Sequence, residues 1–428
     1  MTEALILLSM FLMIGIGVPI AVAILGSALI GVFILNGHLG FLNAALSLYD
    51  GATSFPLIAI PLFILAGALM NTGGISTRLI AFVSALIGFV RGGLAMVNVG
   101  VSLFFAEISG SAVADVAATG SVLIPAMKKK GYTPRFAAAL TSSTASLAII
   151  IPPSIPMILY GALSDTSIVK LFVAGIVPGL IGAFLLMALS YYFAVRYDLP
   201  REDGFSLCRL WQATKDAIWA LILPVLILGG IFGGIVTATE GAGLAVLAAL
   251  LIGGFIYREL SFGKLYHALV DGVNQTAVVM LLVASSAVLG LYLTETELPQ
   301  RLAQGITGIT TNPLAVLMII NVFLLFVGMV LHGAAAIILT VPIFMPLVNQ
   351  LGIDPIQFGI LLTLNIALGQ QTPPVASVLV TACSIAKTDV WSTTRTNLPF
   401  IGVLVLVLLL VTYVPAVSLS LVDVFYGP

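Results

Sequence analysis

Hydrophobic residues fill most of the chain in long runs that polar positions interrupt at only a few places. The stretches 4–35 and 398–422, for example, contain no charged residue. A helix that crosses the hydrocarbon core of a bilayer needs roughly 20 apolar residues, so the pattern predicts several spanning helices, the first of them at 4–35. The alternating ten-residue segments that are typical of a membrane β-barrel are absent. We therefore predict an all-α polytopic membrane protein.

Two apolar runs are interrupted by a short polar tip that contains glycine. The run 92–127 is interrupted at 109–111, and the run 313–348 is interrupted at 332–333. Basic residues lie just beyond both ends of the first run, and such residues favour the cytoplasmic face of a membrane. Each run is therefore predicted to be a re-entrant helical hairpin, the first opening to the cytoplasm and the second to the periplasm.

Two further runs each contain a pair of adjacent prolines. The pairs are 152–153 within the run 136–161 and 373–374 within the run 356–386. Proline has no N–H and its ring obstructs the preceding helical turn, so each run is predicted to be a helix broken near its middle. The alternative is that the prolines only kink spanning helices, which is common in membranes.

The interrupted and broken runs recur in register along the chain. Asn98 matches Asn321 at a spacing of 223 positions, and after a two-residue deletion Pro152 matches Pro373 at a spacing of 221. One extra span between the two units inverts the second unit relative to the first. We predict an inverted-topology repeat, an architecture of many secondary transporters with their site near the midplane. The predicted domains are a first repeat at 1–216, a connecting span at 217–236 and a second repeat at 237–428.

Composition narrows the classes of function. The chain of 428 residues is 60% hydrophobic and 8% charged with a net charge of −1, which argues against nucleic acid as a partner. Cys208 and Cys383 lie in unrelated settings, so neither a disulfide nor a metal site is expected. The chain has no Walker motif and no Gly-x-Ser-x-Gly segment, so we predict no enzyme. An ion channel is an alternative, but inverted Pro-broken units fit alternating access better.

The broken helices also predict cation sites. Prolines at the breaks leave carbonyl oxygens without a helical partner, and such oxygens suit a hard cation such as Na⁺. The oxygens assigned to the first site belong to Ala148, Ile151, Ser109 and Ser111. Their counterparts in the second unit are Gly369, Thr372 and Pro374, which occupy the positions of Ala148, Ile151 and Pro153. We therefore predict two pseudo-equivalent Na⁺ sites.

Few ionisable groups lie near the middle of the membrane, and such groups are functional candidates by default. Glu107 and Asp115 bracket the first tip and could form a proton relay, but no carboxylates flank the second tip. We favour capping and structural roles for both, with Glu240 as a further candidate, and Na⁺ rather than H⁺ coupling. His332 is interpreted as a satisfied buried imidazole, with a ligand or sensor role as the alternative.

Substrate recognition is expected in the same region. Gln370 and Gln371 offer amide donors beside the second break, and Ser154 offers a hydroxyl beside the first. Helix N-termini that face the site would favour an anionic group. We therefore expect a small organic anion, and a carboxylate in particular.

The tips and breaks carry motifs that resemble those of a known family. These motifs are Phe105-Ala106-Glu107-Ile108-Ser109-Gly110-Ser111-Ala112-Val113-Ala114-Asp115, Ile151-Pro152-Pro153-Ser154, Thr237-Ala238-Thr239-Glu240-Gly241, Leu351-Gly352-Ile353-Asp354-Pro355 and Thr372-Pro373-Pro374. Together they look like the large membrane subunit of the tripartite ATP-independent periplasmic (TRAP) transporters. The resemblance covers essentially the whole chain.

The resemblance implies an elevator-type carrier that lies in the lipid bilayer of a bacterial inner membrane. It implies Na⁺-driven uptake of organic acids such as C4-dicarboxylates or sialic acids. Two partners are implied, a small membrane subunit of about four helices and a periplasmic substrate-binding protein. The alternative is a related carrier that works without a binding protein, similar to the divalent anion–sodium symporters.

The resemblance also implies a set of Na⁺ ligands at the tips and breaks. By motif match these are Ser109, Ser111, Ala148, Ile151, Pro153, Gly333, Gly369, Thr372 and Pro374. Family members often have a glutamate beside the second tip, where this chain has Leu331 and His332. The hairpins and broken helices would form a moving transport domain, and other spans a fixed scaffold.

Overall fold

The computed structural model describes residues 2–201 and 204–427, with every side chain in these ranges except those at positions 2, 4 and 107–109. The residues described form helices and turns, and the only extended pairing among them is an isolated bridge between Arg91 and Arg201. Ten helical segments of this described part are long and apolar enough to cross a membrane. The all-α polytopic fold is therefore confirmed.

The first half of the chain alternates long apolar helices with short ones. In chain order they are α1 Thr2–Gly15, α2 Ile20–Asn36, α3 Gly40–Thr53, α4 Ala59–Thr72, α5 Ile75–Ile87, α6 Gly93–Ser109, α7 Ala112–Asp115, α8 Ser121–Lys129, α9 Pro134–Ala145, α10 Leu147–Ile150, α11 Ile155–Ser164 and α12 Ile168–Arg196. A π-helical turn, Val116–Gly120, joins α7 to α8.

The second half begins with a long helix after the polar segment near position 200. In chain order its helices are α13 Leu207–Phe232, α14 Ala238–Leu251, α15 Phe262–Glu295, α16 Leu298–Ile309, α17 Pro313–Val330, α18 Gly333–Gln350, α19 Pro355–Gly369, α20 Ser377–Ala386, α21 Val390–Tyr413 and α22 Ala416–Tyr426. A π-helical turn, Ile252–Ile256, extends α14.

The N-terminal run 4–35 is two helices, so the prediction of a single first span was wrong. The chain turns between α1 and α2, where Gly17 has a left-handed φ of +91° and Pro19 follows. Proline cannot continue the hydrogen bonds of α1, but its fixed φ suits the start of a new helix. The Pro19 carbonyl accordingly accepts the Ala23 N–H of α2 at 3.0 Å.

The basic residues of the stretch 196–215, with Pro200 and Gly204 as helix breakers, predict a cytoplasmic loop, but the stretch is only partly a loop. The helix α13 begins at Leu207, and the Ser206 hydroxyl accepts the Arg209 N–H at its first turn. A serine at this position supplies an acceptor for a helix N–H that has no partner within the helix. The charged residues that indicated a loop therefore belong to the solvated first turns of a spanning helix.

The charge-free run after position 398 predicts a last span at 398–419, but the helix begins earlier. Its helix α21 starts at Val390, where the Asp389 carboxylate accepts a backbone N–H of the first turn at 2.8 Å. It ends at Tyr413, and Pro415 begins the separate helix α22. The polar first turn hid the start of the helix, because hydropathy identifies only its apolar part.

The two hairpins and the two broken helices are present in the structure. The arms α6 and α7 meet at the tip 110–111, and α17 and α18 meet at the tip 331–332. The breaks lie at 151–154, between α10 and α11, and at 370–376, between α19 and α20. Both proline–proline peptide bonds are cis. The interruptions recognised in the apolar runs are therefore the places where the helices end.

Equivalent residues of the two units make equivalent contacts. Asn98 Oδ1 accepts from the Thr144 hydroxyl at 2.9 Å, which joins the first hairpin to its broken helix. Asn321 Oδ1 accepts from the Asn365 amide at 2.7 Å, which joins the second pair of elements. Thr144 and Asn365 are 221 positions apart, the spacing found for the prolines. The domain boundaries given above stay a prediction.

Candidate functional site

Both tips and both breaks border one cavity of about 540 Å³. The first tip contributes Gly110 and Ser111, and the second contributes His332 and Gly333. The breaks contribute Gln370 and residues on either side of the first break, while α4 and α15 form another part of the wall. Elements that are more than 200 positions apart in sequence thus build a single site.

The first tip rests directly on the first break. Gly110 ends α6 in the left-handed region with φ +55°, a conformation that favours glycine. A Cβ at this position would lie 3.0 Å from the Ile155 nitrogen and 3.2 Å from the Pro153 carbonyl oxygen. Only a residue without a side chain lets the two segments approach this closely.

At the first break two carbonyls lose their helical N–H partners, and one of them accepts a different hydrogen bond. The helical partners of Ala148 and Ile149 would be Pro152 and Pro153, which have no N–H. The Ser154 hydroxyl donates to the Ile149 carbonyl at 2.6 Å. The Ala148 carbonyl loses its helical partner in the same way, and this is the oxygen that the sequence assigned to a cation.

The second break satisfies its carbonyls differently. The Gly369 carbonyl accepts the Thr372 N–H at 2.9 Å, and the Gln370 carbonyl accepts the Val378 N–H at 3.1 Å. The Thr372 hydroxyl donates to the Leu368 carbonyl at 2.9 Å. Each carbonyl oxygen keeps a second lone pair, but the two breaks are not equivalent in their hydrogen bonds.

The three residues expected to contact substrate lie in different places. Gln370 lines the cavity. Gln371 is fully buried, donates to the Ser146 hydroxyl and accepts from Ser143 at 2.7 Å and from Asn397 at 3.2 Å. Its amide therefore ties the second break to α9 and α21 rather than facing the cavity. Ser154 is also fully buried and bonded to its own break.

The ionisable candidates differ in their surroundings. His332 is exposed to the cavity and its imidazole has no hydrogen bond within the described residues, so its interpretation as a satisfied buried group was wrong. Asp115 is buried and neither carboxyl oxygen has a partner in the part of the chain described, so the expected capping role is not observed. Glu240 forms a capping box with Thr237 at the start of α14. The side chains of Glu107 and Ser109 lie outside the described residues.

Two wall residues were missed by reasoning from the sequence. Asn274 and Gln275, on α15, line the same cavity as the tips. They lie within a helix of 34 residues, whose apolar run at about 265–293 predicts a spanning helix and no binding site. Two adjacent amides within an apolar run were the signal that could have found them, because polar side chains at membrane depth rarely face lipid.

Both N-terminal and C-terminal ends of helices border the cavity. The helices α7, α11 and α18 begin beside it, and α6, α10 and α19 end beside it. Helix starts carry partial positive charge and helix ends partial negative charge, so the cavity offers favourable places for an anion and for a cation. Cys208 and Cys383 are both free, and the described residues contain no group of three His, Cys, Asp or Glu side chains placed to hold a metal.

Comparison with known families identifies the chain. Residues 7–417 match the model of the family described as tripartite ATP-independent periplasmic transporter, DctM component. The chain belongs to the DctM family. The resemblance seen in the tips and breaks is thereby confirmed over almost the whole chain.

Other DctM-type proteins are similar along most of their length. The isethionate TRAP transporter permease protein DctMQ of Oleidesulfovibrio alaskensis is 40% identical over 94% of this chain, which spans 64% of that protein. The C4-dicarboxylate TRAP transporter large permease protein DctM of Pseudomonas aeruginosa is 38% identical over 89% of each chain. The sialic acid TRAP transporter large permease protein SiaM of Vibrio cholerae is 36% identical over 96% of each chain.

The fold of this DctM chain is similar to that of a solved transporter structure. The Alcanivorax borkumensis YdaH transporter aligns with a TM-score of 0.64 over 92% of this chain and 90% of its own, at 16% identity. Together with the ten candidate membrane-crossing helices of the described residues, membership of the DctM family makes this a multi-pass inner-membrane protein. Its relatives are transporter permease proteins, so the prediction that it is not an enzyme is confirmed.

Proposed function

We propose that this DctM chain performs Na⁺-coupled secondary active uptake of an organic carboxylate across the bacterial inner membrane. The observation that carries the proposal is the meeting of both tips and both breaks at one cavity. Inverted repeats with discontinuous helices at the midplane suit alternating access around a shared site. In an elevator mechanism the hairpins and broken helices would move together with the bound substrate.

The names of the relatives support an organic anion as substrate. Three proteins of 36–40% identity are named for isethionate, C4-dicarboxylates and sialic acid, all of which are organic acids. A substrate of the C4-dicarboxylate or sialic acid type is therefore proposed for this chain. The partial positive charge of the helix starts at the cavity favours the anionic end of such a molecule.

At least two Na⁺ ions are proposed as the coupling ions, one at each tip and break. The first site would use Ser109, Ser111 and the carbonyls of Ala148, Ile151 and Pro153, and the second would use Gly333, Gly369, Thr372 and Pro374. The carbonyl that Pro152 deprives of its helical partner is the best placed of these oxygens, because it can accept a cation without losing a hydrogen bond.

Two protein partners are proposed because the family is one component of a tripartite transporter. They are a small membrane subunit of about four helices and a periplasmic protein that delivers the substrate. The three proteins should be reconstituted in liposomes with an inward Na⁺ gradient, and uptake of isethionate, succinate and N-acetylneuraminate measured. Uptake that needs Na⁺ and all three proteins supports the proposal. Equal Na⁺-dependent uptake by this chain alone would favour the binding-protein-independent symporter instead.

The cation sites can be tested within the same system. Thr372→Ala and Ser111→Ala should each raise the Na⁺ concentration for half-maximal uptake several-fold, because each removes a proposed ligand oxygen. Thr294→Ala is the matched control, since that hydroxyl only donates to the Gly290 carbonyl within α15 at 2.8 Å. Unchanged Na⁺ activation in both variants would remove these residues from the site.

A further inference from the structure

The α15 wall of the cavity carries a polar stripe, which Asp271, Asn274 and Gln275 form on one face of the helix. These residues and Val278 follow the spacing of one face of an α-helix, and all four are exposed. Asn274 and Gln275 line the cavity of about 540 Å³ that the tips share. Gln275 and Asp271 also line a neighbouring cavity of about 270 Å³ beside the first hairpin.

The two amides on this stripe belong to a candidate membrane-spanning helix and have no partner in the described residues. Asn274 and Gln275 lie about 20 Å along α15, whose 34 residues are more than a hydrocarbon core of roughly 30 Å requires. Neither side chain has a hydrogen bond to the described part of the chain. A polar group on a spanning helix is costly unless it faces protein, water or a ligand. These amides face the cavity, where a bound molecule can satisfy them.

The charges around the cavity restrict the molecule that fits. Among the described residues that line it, none is a lysine or an arginine, and His332 is the only side chain there that can become cationic. Asp271 adds a negative group in the neighbouring cavity. A buried carboxylate needs a compensating positive charge. One anionic group can use the helix starts and the proposed coupling cations, but a second anionic group near α15 would face only amides and Asp271.

We propose that Asn274 and Gln275 bind the substrate from the α15 wall of the cavity, and that the substrate is an organic monoanion with a neutral hydroxyl, carbonyl or amide group. The anionic end lies towards the tips, and the neutral polar end pairs with the two amides, which can both donate and accept. This inference rests on the proposed transport function and narrows its substrate class, because it disfavours dicarboxylates.

The wall can be tested without transport by cysteine labelling. The full chain with Cys208→Ser and Cys383→Ser carries Asn274→Cys, Gln275→Cys or, as a control, Thr276→Cys, which lies on α15 but lines neither cavity. The first two should react with the anionic thiol reagent MTSES at least tenfold faster than the third. Equal slow labelling at all three positions overturns the assignment of the wall.

Protection from labelling tests the substrate class. Glycolate, lactate, pyruvate, isethionate and N-acetylneuraminate are the monoanions, and succinate and malonate are the dianions. At least one monoanion should slow the labelling of Gln275→Cys several-fold, and neither dianion should. Protection by succinate or malonate that equals or exceeds every monoanion overturns the charge argument. Fast labelling that no anion slows overturns the binding role of the amides.

Transport kinetics separate this inference from the proposed function. For a monoanion that the reconstituted system takes up, Asn274→Leu and Gln275→Leu should each raise KM about tenfold, which is roughly 1.4 kcal/mol. Maximal uptake and Na⁺ activation should stay within twofold, and Thr276→Val should match the wild type. If uptake remains Na⁺-driven and the KM is unchanged in both leucine variants, the inference about the two amides is refuted and the proposed function is not. If an anion protects Gln275→Cys from labelling but the reconstituted system shows no Na⁺-driven uptake, the proposed function is refuted and the binding role of the amides is not.

Discussion

Two glycines set the distances within the candidate site. Gly110 lets the first tip rest on the backbone of the first break, and Gly369 lets α19 lie against α17. A Cβ at Gly369 would be 2.4 Å from the Gly328 carbonyl carbon, a distance that real contacts do not reach. Both approaches involve backbone atoms, which cannot move aside as a flexible side chain can. The close approach of the segments at the site therefore depends on glycine at these two positions.

Gly110→Ala should weaken uptake strongly and lower the thermal stability of the protein. The new methyl group would crowd Ile155 and Pro153, and the left-handed φ of +55° adds strain of roughly 1–3 kcal/mol. Gly131→Ala is the matched control, because Gly131 also has a positive φ, +87°, but has open space around it. If the two variants lose the same activity, strain alone is responsible and the contact with the break does not matter.

Gly369→Ala should destabilise the protein more than any surface substitution, by roughly 1–3 kcal/mol as for other overpacked cores. Gly402→Ala is its control, since that helical glycine has nothing within 4 Å of a new Cβ. Alanine favours a helix by about 0.5–1 kcal/mol over glycine, so this control should be slightly more stable. Thermal unfolding in detergent measures both, and a stable Gly369→Ala would contradict the close approach.

Individual side chains were the part of the site that the sequence predicted least well. Ser154 and Gln371 are polar residues beside breaks, and from sequence alone both looked available to a substrate. Their partners, such as Ser143 and Asn397, come from elements far away in the chain. Which polar groups satisfy one another depends on packing between helices, and no local pattern records that packing.

At the level of elements, paired prolines and capping residues explain where helices end. The pairs at 152–153 and 373–374 coincide with breaks, whereas single prolines lie inside helices, such as Pro178 in α12 and Pro399 in α21. One proline removes one hydrogen bond, which neighbouring helices can compensate, but two adjacent prolines remove two. The breaks could therefore be predicted from the sequence, while the starts of α13 and α21 could not, because their first turns are polar.

Asp354→Ala should destabilise the second broken helix without changing the cation or substrate specificity. Its carboxylate accepts the N–H groups of Ile356 at 2.7 Å and Gln357 at 3.1 Å at the start of α19. Loss of such a cap costs about 1 kcal/mol. Asp354→Asn, which keeps an acceptor oxygen, should restore most of the thermal stability. A changed Na⁺ activation in Asp354→Ala would instead show that the start of α19 is coupled to the site.

Across the whole molecule, ion pairs join parts of the chain that are distant in sequence. Arg301 donates to Glu3, 298 positions away, at 2.7 Å and to the Thr296 carbonyl at 2.6 Å. The matching residue of the first unit, Arg78, pairs with Glu259 at 2.7 Å and donates to the Gly74 carbonyl, also at 2.7 Å. The repeat spacing of 223 positions also relates Arg78 to Arg301, but it does not relate their acidic partners, Glu259 and Glu3.

The pair between Arg301 and Glu3 should make stability depend on pH. The hydrogen bond from Arg301 is the main reason that the pKa of Glu3 lies below its usual value of 4.5. A carboxyl group with a lowered pKa in the folded state stabilises the protein above its unfolded pKa, and this stabilisation is lost as the pH falls through the folded pKa. Thermal unfolding should therefore separate wild type from Arg301→Gln at pH 7, and the separation should shrink below about pH 4. A difference that persists at low pH would show that Arg301 acts through Thr296 alone.

The cavity that the anion and the cations are proposed to share has an electrical consequence. Over a complete cycle the charge moved across the membrane equals the charge of the ions released, because every fixed charge of the protein returns to its starting place. Two Na⁺ ions with one monovalent anion would move one net positive charge inward in each cycle. An interior potential of −100 mV would then contribute about 2.3 kcal/mol, roughly a fiftyfold gain in accumulation. With a dianion the same cycle would be electroneutral, so membrane voltage would drive uptake of one class of substrate and leave the other unaffected.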